Sequence, residues 1–396
     1  MTRVLYVQYT SPGAYPPLVR GAELFAAAGA LVLMLGTRVD GLDALDVDES
    51  QGVRIRLMPA ARTGWRLKAH YARYAAWVAR EGSAWKPDWI YASDVLSAPI
   101  ALALNALTGA RVVYHEHDAP SLDHPSWMIK RCLAARRRLV AHADIVITPN
   151  ATRSATLSAV GGGRRVVTAW NTPLRPHVAP AGRAMSGRLR VIYRGSINGE
   201  RLPLAVIDAL ADPRVDADLT VAGYETVGSR GHVDALRSRA RNVGVGDRVR
   251  VLGTVVEAEL TAVSTECDVG LALMPMTSRD ENMRHMTGAS NKVFEYLSSG
   301  IVPLVSDLPD WRSTFADPGF ALACDPRDAA SIADALVWAQ QNRGALTHIA
   351  KRGWQRLEQD WNYETQFEPV LTAVLGHTRS REAVGAYDAE EAPCVS

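Results

Sequence analysis

Twelve short apolar runs, separated by helix-length amphipathic segments or glycine-bearing turns, set the strongest limit on how this chain folds. Six lie at 4–9, 30–36, 53–58, 89–92, 111–115 and 145–148, and six more at 189–193, 219–222, 249–252, 269–273, 301–306 and 320–323. The run at 301–305 is apolar on both faces, as a strand inside a parallel sheet is. Helical patterns fit between the runs, at 20–28, 67–81, 96–108 and 129–141, then at 202–210, 233–243, 257–265 and 291–298. Two longer ones follow, at 329–341 and 346–375, the second with a break near Trp361-Asn362. Strands alternating with helices build parallel sheets covered on both faces. The alternation stops at 170–187, where Pro173, Pro176, Pro180, Gly182 and Gly187 mark a linker. The chain is therefore expected to be α/β, with two similar sheets in succession.

Charge divides at the same place. Residues 1–187 hold 22 Lys+Arg against 13 Asp+Glu, a balance of +9, and the rest of the chain balances at −7. A basic first half facing something anionic is implied. The four cysteines, Cys132, Cys267, Cys324 and Cys394, have no metal-ligand spacing, and a chain of 396 residues can build its cores without disulfides. A reducing cytoplasm is the expected compartment. The first residues run straight into a strand without a signal peptide's regions, and no apolar run reaches the ~18 residues of a membrane span.

The densest chemistry lies in Gly288-Ala289-Ser290-Asn291-Lys292-Val293-Phe294-Glu295, continuing through Gly300 into the run at 301–306. It reads as a turn, a helix capped by Ser290 and closed by a left-handed Gly300, then a buried strand. Lys292 and Glu295 share one face at the start of that helix. A cation, a carboxylate and free amides there suit a phosphate joined to a ribose, although a capped helix with a surface ion pair would read the same. The second sheet opens with Tyr193-Arg194-Gly195-Ser196, a strand delivering the chain to a glycine turn, with Arg201 in the first turn of the next helix. There is neither a GxGxxG fingerprint nor a P-loop.

Several segments together resemble one family. The order Tyr193-Arg194-Gly195 with Arg201, then Leu219 to Gly223, Asp247 to Val255, Cys267 to Leu271 and the 288–297 motif is similar to the donor domain of GT-B glycosyltransferases, most of all the retaining GT4 family. The first half matches more loosely, at 87–94, 112–118 and 143–150. The resemblance implies a GT-B fold: two doubly wound Rossmann-like domains with a cleft between them. An acceptor domain would span 1–182, a donor domain 183–358 and a helix returning to the first domain 359–377, with a disordered tail at 378–396.

Residue by residue, it implies that Glu295 holds ribose hydroxyls, that Arg201 and Lys292 act at the diphosphate, and that His117 faces the transferred sugar. Gly195, Ser196, Gly223, Thr254, Val255, Gly288, Ala289, Ser290 and Asn291 would complete the donor site, the Gly253 to Val255 loop reading the base. Two positions depart from the family pattern. Ser196 stands where many members have arginine, and Thr287 where many have a glutamate; Arg194, before the glycine, is not taken as a replacement. The implied reaction is transfer from a UDP-, GDP- or dTDP-sugar by same-face attack, with cations in place of a metal and no cofactor. The alternatives are a sugar-nucleotide epimerase and a non-catalytic sugar-nucleotide sensor.

Other segments bear on the acceptor. Asp94, at a strand's C-terminal end, and Asp118 are candidate acceptor contacts, Asp118 equally a turn residue. His115 and His117 are expected on opposite sides of a strand end, which disfavours a metal pair, and His115 is read as structural. Two basic, aromatic helices, one around Trp65, Arg66, Lys68, Arg73 and Trp77 and one around Lys130 and Arg136-Arg137-Arg138, suit either an anionic lipid surface or solvated faces with aromatics packed inward. The acceptor is expected to be a small natural-product intermediate, a glycan or a lipid-linked molecule. A nucleic-acid partner is not expected, since the basic residues follow no recognised motif.

Overall fold

The computed structural model describes residues 1–38, 49, 52–60, 65–120, 125–177 and 187–376. The expected tail at 378–396 and the boundary near 182 lie outside them. The first sheet contains β1 (Arg3–Val7), β2 (Leu31–Thr37), β3 (Val53–Met58), β4 (Trp89–Ser93), β5 (Arg111–His115), β6 (Ile145–Thr148) and β7 (Val167–Thr168). The second contains β8 (Leu189–Ile197), β9 (Ala217–Glu225), β10 (Val249–Gly253), β11 (Val269–Ala272), β12 (Val302–Ser306) and β13 (Leu322–Cys324).

The orders are β3-β2-β1-β4-β5-β6-β7 and β10-β9-β8-β11-β12-β13, with every pairing parallel. Both are doubly wound, and each reverses direction beside its first strand, between β1 and β4 and between β8 and β11. Ligands of such sheets bind outside the strands' C-terminal ends at that switch point.

The first sheet is covered by α1 (Pro16–Ala27), α2 (Trp65–Trp85), α3 (Asp94–Thr108), α4 (Trp127–His142) and α5 (Ala151–Val160). Neither α5 nor the two-residue β7 is expected from periodicity; α5 is short and polar on most of its surface, and Asn150 caps it by accepting from Arg153 N. The second sheet carries α6 (Ala205–Leu210), α7 (His232–Asn242), α8 (Glu257–Thr265), α9 (Glu281–Arg284), α10 (Lys292–Ser298), α11 (Pro309–Trp311), α12 (Ala329–Gln341) and α13 (Arg343–Gln359). Among them, α6 starts later than the pattern at 202 implies, because Pro203 intervenes, so Arg201 sits in a turn rather than a helix.

The break at Trp361-Asn362 is real: Asn362 caps α14 (Tyr363–Leu375), which leaves the second domain and packs on the first. Tyr363, Phe367, Val370, Leu371 and Val374 enter the core built by Val4, Tyr6, Phe25 and Tyr91. Each such buried side chain contributes about 1.5–3 kcal/mol, so the return of the chain is strongly held. The 170–177 stretch is also anchored. Trp170 packs beside Phe294 and Trp361, and Asn171 binds Gly288 O through its N–H and Ala289 O through its side chain.

The tightest backbone approach lies at the head of β8, where Gly195 pairs with Gly223 of β9. A Cβ at Gly223 would overlap the Gly195 carbonyl oxygen. Gly223→Ala should therefore cost about 3 kcal/mol or more, whereas Gly228→Ala, with open space around it, should leave thermal unfolding nearly unchanged; equal unfolding temperatures for the two variants would contradict this packing.

Candidate active site

A cleft of about 620 Å³ opens between the two sets of strand ends. Its second-domain floor starts at Gly195, whose φ of 105° places it where side chains are disfavoured. A Cβ there would lie 3.2 Å from Lys292 Cε. Glycine at both 195 and 223 thus lets bare backbone meet the cleft beneath Lys292.

Lys292 is only 6% exposed. Its Nζ donates to the Tyr193 hydroxyl at 3.2 Å and lies 4.6 Å from that ring's centroid. Burial, reinforced by Arg201, pushes its pKa well below that of an ordinary lysine. Arg201 donates to Ser196 Oγ at 3.0 Å and lines the same cleft with Arg194. Glu295 answers these cations: Arg194 Nη2 is 3.2 Å from one carboxylate oxygen, and Asn291 Nδ2 donates to the other at 2.8 Å. Arg20, from α1 of the first domain, reaches it at 3.5 Å. Lys292 and Glu295 therefore do not form the surface ion pair; each is held by other partners. Ser290 does not cap α10 either; Asn291 holds that place in a helical conformation, without a side-chain cap bond. Gly300 does close the helix, with φ 71°.

The opposite wall is the loop after β5. His117 lines the cleft, and both its ring nitrogens are buried without a hydrogen-bond partner. Its imidazole stacks on His115 at 3.7 Å between centroids, and His115 Nδ1 meets the Tyr91 hydroxyl at 2.6 Å. The expectation of opposite sides fails because residues two apart along a strand share a face. Burial first, then Arg153, holds His117 down at about 3, and burial lowers His115 well below its ordinary value. Both rings are neutral at pH 7. Glu116 is used structurally, bound by Arg136 and the Tyr114 hydroxyl. Among the described residues, no three His, Cys, Asp or Glu side chains gather as metal ligands do.

A backbone floor with buried cations facing a neutral histidine suits an anionic leaving group and a sugar, and sequence comparison decides the class. Residues 18–172 match the family model described as "Glycosyl transferase 4-like domain", and residues 188–342 match "Glycosyl transferases group 1". The chain is a GT-B glycosyltransferase. It is 24% identical to a glycogen synthase of Mycobacterium tuberculosis, over 92% of either chain. In fold it matches HepE of Anabaena, solved with UDP-glucose, at a TM-score of 0.72 and 15% identity, covering 95% of this chain and 100% of that one. It also matches a sucrose-phosphate synthase of Thermosynechococcus elongatus at 0.68 and 16%, covering 93% and 97%.

Of the residues expected in the donor site, Gly195, Ser196, Arg201, Ala289, Ser290, Asn291, Lys292 and Glu295 of this glycosyltransferase line one cleft with His117 and Asp118. Others lie elsewhere. Gly223 supports Gly195 from β9, and Gly288, with φ 76°, is pressed under Trp170. Thr254 and Val255 follow β10 outside the cleft lining, where Leu260 of α8 is found instead. Asp94 is not in the lining. It takes an unusual φ of 61°, and its Oδ1 accepts from the N–H groups of His117 and Asp118 at 2.8 and 3.2 Å, so it acts on the loop. Sequence patterns missed Tyr15, Asn171 and Tyr224, which line the cleft, and dismissed Arg194. No motif marks the first three. The basic charge beside Gly195 was the available signal for Arg194.

The low histidine pKa values fix a pH dependence. Unfolded histidine takes a proton near 6.5 while these buried rings do not, so their stabilisation is complete above 6.5 and is lost as pH falls toward the folded values, at up to about 1.4 kcal/mol per pH unit for each ring. Denaturant titrations between pH 7 and 4 should show a shallower loss for His117→Gln than for the natural chain. Identical slopes would contradict the neutral, buried ring.

Proposed function

We propose that this glycosyltransferase moves a hexosyl group from a UDP-sugar to an acceptor hydroxyl, with retained anomeric configuration and no required metal. The observation that carries this is the buried Lys292, with Arg201 and Arg194 beside it, on a glycine floor that ends at Glu295 and faces His117. The Anabaena fold relative holds UDP-glucose, and a Burkholderia vietnamiensis relative is a UDP-forming trehalose-phosphate synthase, which supports UDP as the first donor to test.

In this reading Glu295 accepts from the ribose diol, and Lys292 and Arg201 meet the diphosphate. As the bond from the anomeric carbon to the phosphate oxygen breaks, negative charge grows where these cations sit. The acceptor oxygen bonds to the same face of that carbon, and its proton passes to the departing phosphate oxygen. A histidine held near 3 is a poor base, so His117 serves as a hydrogen-bonding partner of the sugar. The ammonium and guanidinium groups supply the charge that a metal supplies in other transferases, and turnover should persist in a chelator.

Glu295→Ala should weaken UDP binding, and Lys292→Met should lower turnover of UDP-glucose about a hundredfold or more. Because Lys292→Met removes a buried amine whose charged form is disfavoured there, the empty variant should melt no lower than the natural chain. Unchanged turnover would overturn the donor site. NMR of the product should show the donor's anomeric configuration; conversion of UDP-glucose to another UDP-sugar without acceptor would show an epimerase instead.

The acceptor side favours an anionic lipid surface nearby. On α2, Tyr71, Tyr74 and Trp77 pack inward, but α4 turns four cations outward, Lys130, Arg131, Arg137 and Arg138, has no acid and carries an outward Trp127, 63% exposed, with Arg131 4.3 Å from its ring centroid. No described helix is long and apolar enough to cross a membrane. Sedimentation with phosphatidylglycerol vesicles at low salt should carry the chain down, and Trp127→Ser with Arg131→Ser should abolish this. No sedimentation of the natural chain would remove the lipid reading.

A further inference from the structure

The second domain grips the first through α9, and the donor site alone does not account for the form of that grip. The Asn282 side chain pairs with the Ala119 backbone in both directions, accepting from its N–H at 2.7 Å and donating to its carbonyl at 2.9 Å. Arg153 of α5, only 5% exposed, donates to His117 O at 2.8 Å and to Asn282 O at 3.0 Å. Asn150 Nδ2 donates to His285 O at 2.6 Å, just past α9. Met283, within α9, receives Arg201 Nη2 at 3.4 Å. One short helix thus touches the cation of the donor floor and the loop that carries the facing histidine.

The bonds around His117 show what this achieves. Its N–H is held by Asp94 from within the first domain, its C=O by Arg153, and the Ala119 backbone by Asn282 from across the cleft. Its ring nitrogens alone are left without partners. A ring on a fully tied backbone is pre-organised for a ligand, and a loop tied at His117 from its own domain and at Ala119 from the other is correctly placed only when the domains are in register.

We propose that Asn282 and Arg153 are positioning residues that register the His117 loop against the donor domain, so that the imidazole meets the glycosyl group only when α9 is docked. What His117 meets rests on the donor reading above; the docking does not. Neither side chain lines the cleft, so direct contact with donor is not their role. Arg153 is also the charge nearest in effect to His117, and Asp118, Glu116, Asp280 and Glu281 surround it in turn.

The test compares the natural chain with Asn282→Ala, Asn282→Asp, Arg153→Lys and Arg153→Gln. Three quantities are measured: calorimetric UDP affinity, UDP-glucose hydrolysis and the His117 ring resonance in NMR, assigned by its loss in His117→Gln. Asn282→Ala should keep the UDP Kd while lowering kcat by on the order of a hundredfold. Its His117 resonance should move and titrate upward from about 3 toward the ordinary range. Asn282→Asp keeps the acceptor for Ala119 N–H but loses the donor, and should fall between; Arg153→Lys should retain more activity than Arg153→Gln.

An unmoved His117 resonance, with kcat and Kd changing only as far as stability does, would overturn the proposal. If the natural chain neither binds UDP nor hydrolyses UDP-glucose, the donor reading fails. The His117 resonance of Asn282→Ala then still decides the docking.

Discussion

A buried lysine amine beside two guanidiniums is the constraint from which the rest of this structure follows. Lys292 is desolvated on a helix start with a tyrosine hydroxyl for a hydrogen-bond partner, and Arg201 and Arg194 add like charge. Isolated buried charge is costly unless it is compensated. Glu295 offsets part of it, and an entering anion would offset the remainder. The glycines at 195 and 223 serve the same end, since a side chain at either would crowd the Lys292 stem or separate the strands that carry the floor.

The two domains share this electrostatic work. Arg20 crosses from α1 to Glu295 and also donates to Thr172 O at 2.7 Å, so the carboxylate assigned to ribose already ties the domains together. The α9 contacts tie them again on the other side of the cleft. Between them, Asn171 binds the backbone at Gly288 and Ala289, and α14 fastens the end of the second domain to the first core. Stacked, neutral His115 and His117 fit this arrangement, because a protonated pair 3.7 Å apart beside Arg153 would add charge to an already cationic cleft.

Much of the architecture was legible in the chain because strand burial and helix periodicity are local signals. β3, β5, β6, α8 and α12 have the bounds read from pattern alone, and the break at Trp361-Asn362 falls at a helix cap. Helix starts were less legible: Pro203 delays α6, and Asn291 rather than Ser290 precedes α10, since cap choice depends on how the 287–290 turn packs under Trp170. In the site, Lys292, Glu295, Arg201 and His117 were visible through motif order. Arg20, Asn171, Asn282 and Arg153 were not, for their roles arise from contacts between residues more than a hundred positions apart. Asp94 was visible as a strand-end carboxylate, but its direction, toward the loop rather than the cleft lining, is set by a left-handed backbone that no pattern announces.

The most direct test of the central claim is a crystal structure of this chain with UDP. The diphosphate should lie against Lys292 and Arg201 above Gly195, with the ribose hydroxyls on Glu295. UDP bound away from Lys292, or seated in the cleft with its ribose turned from Glu295, would contradict it.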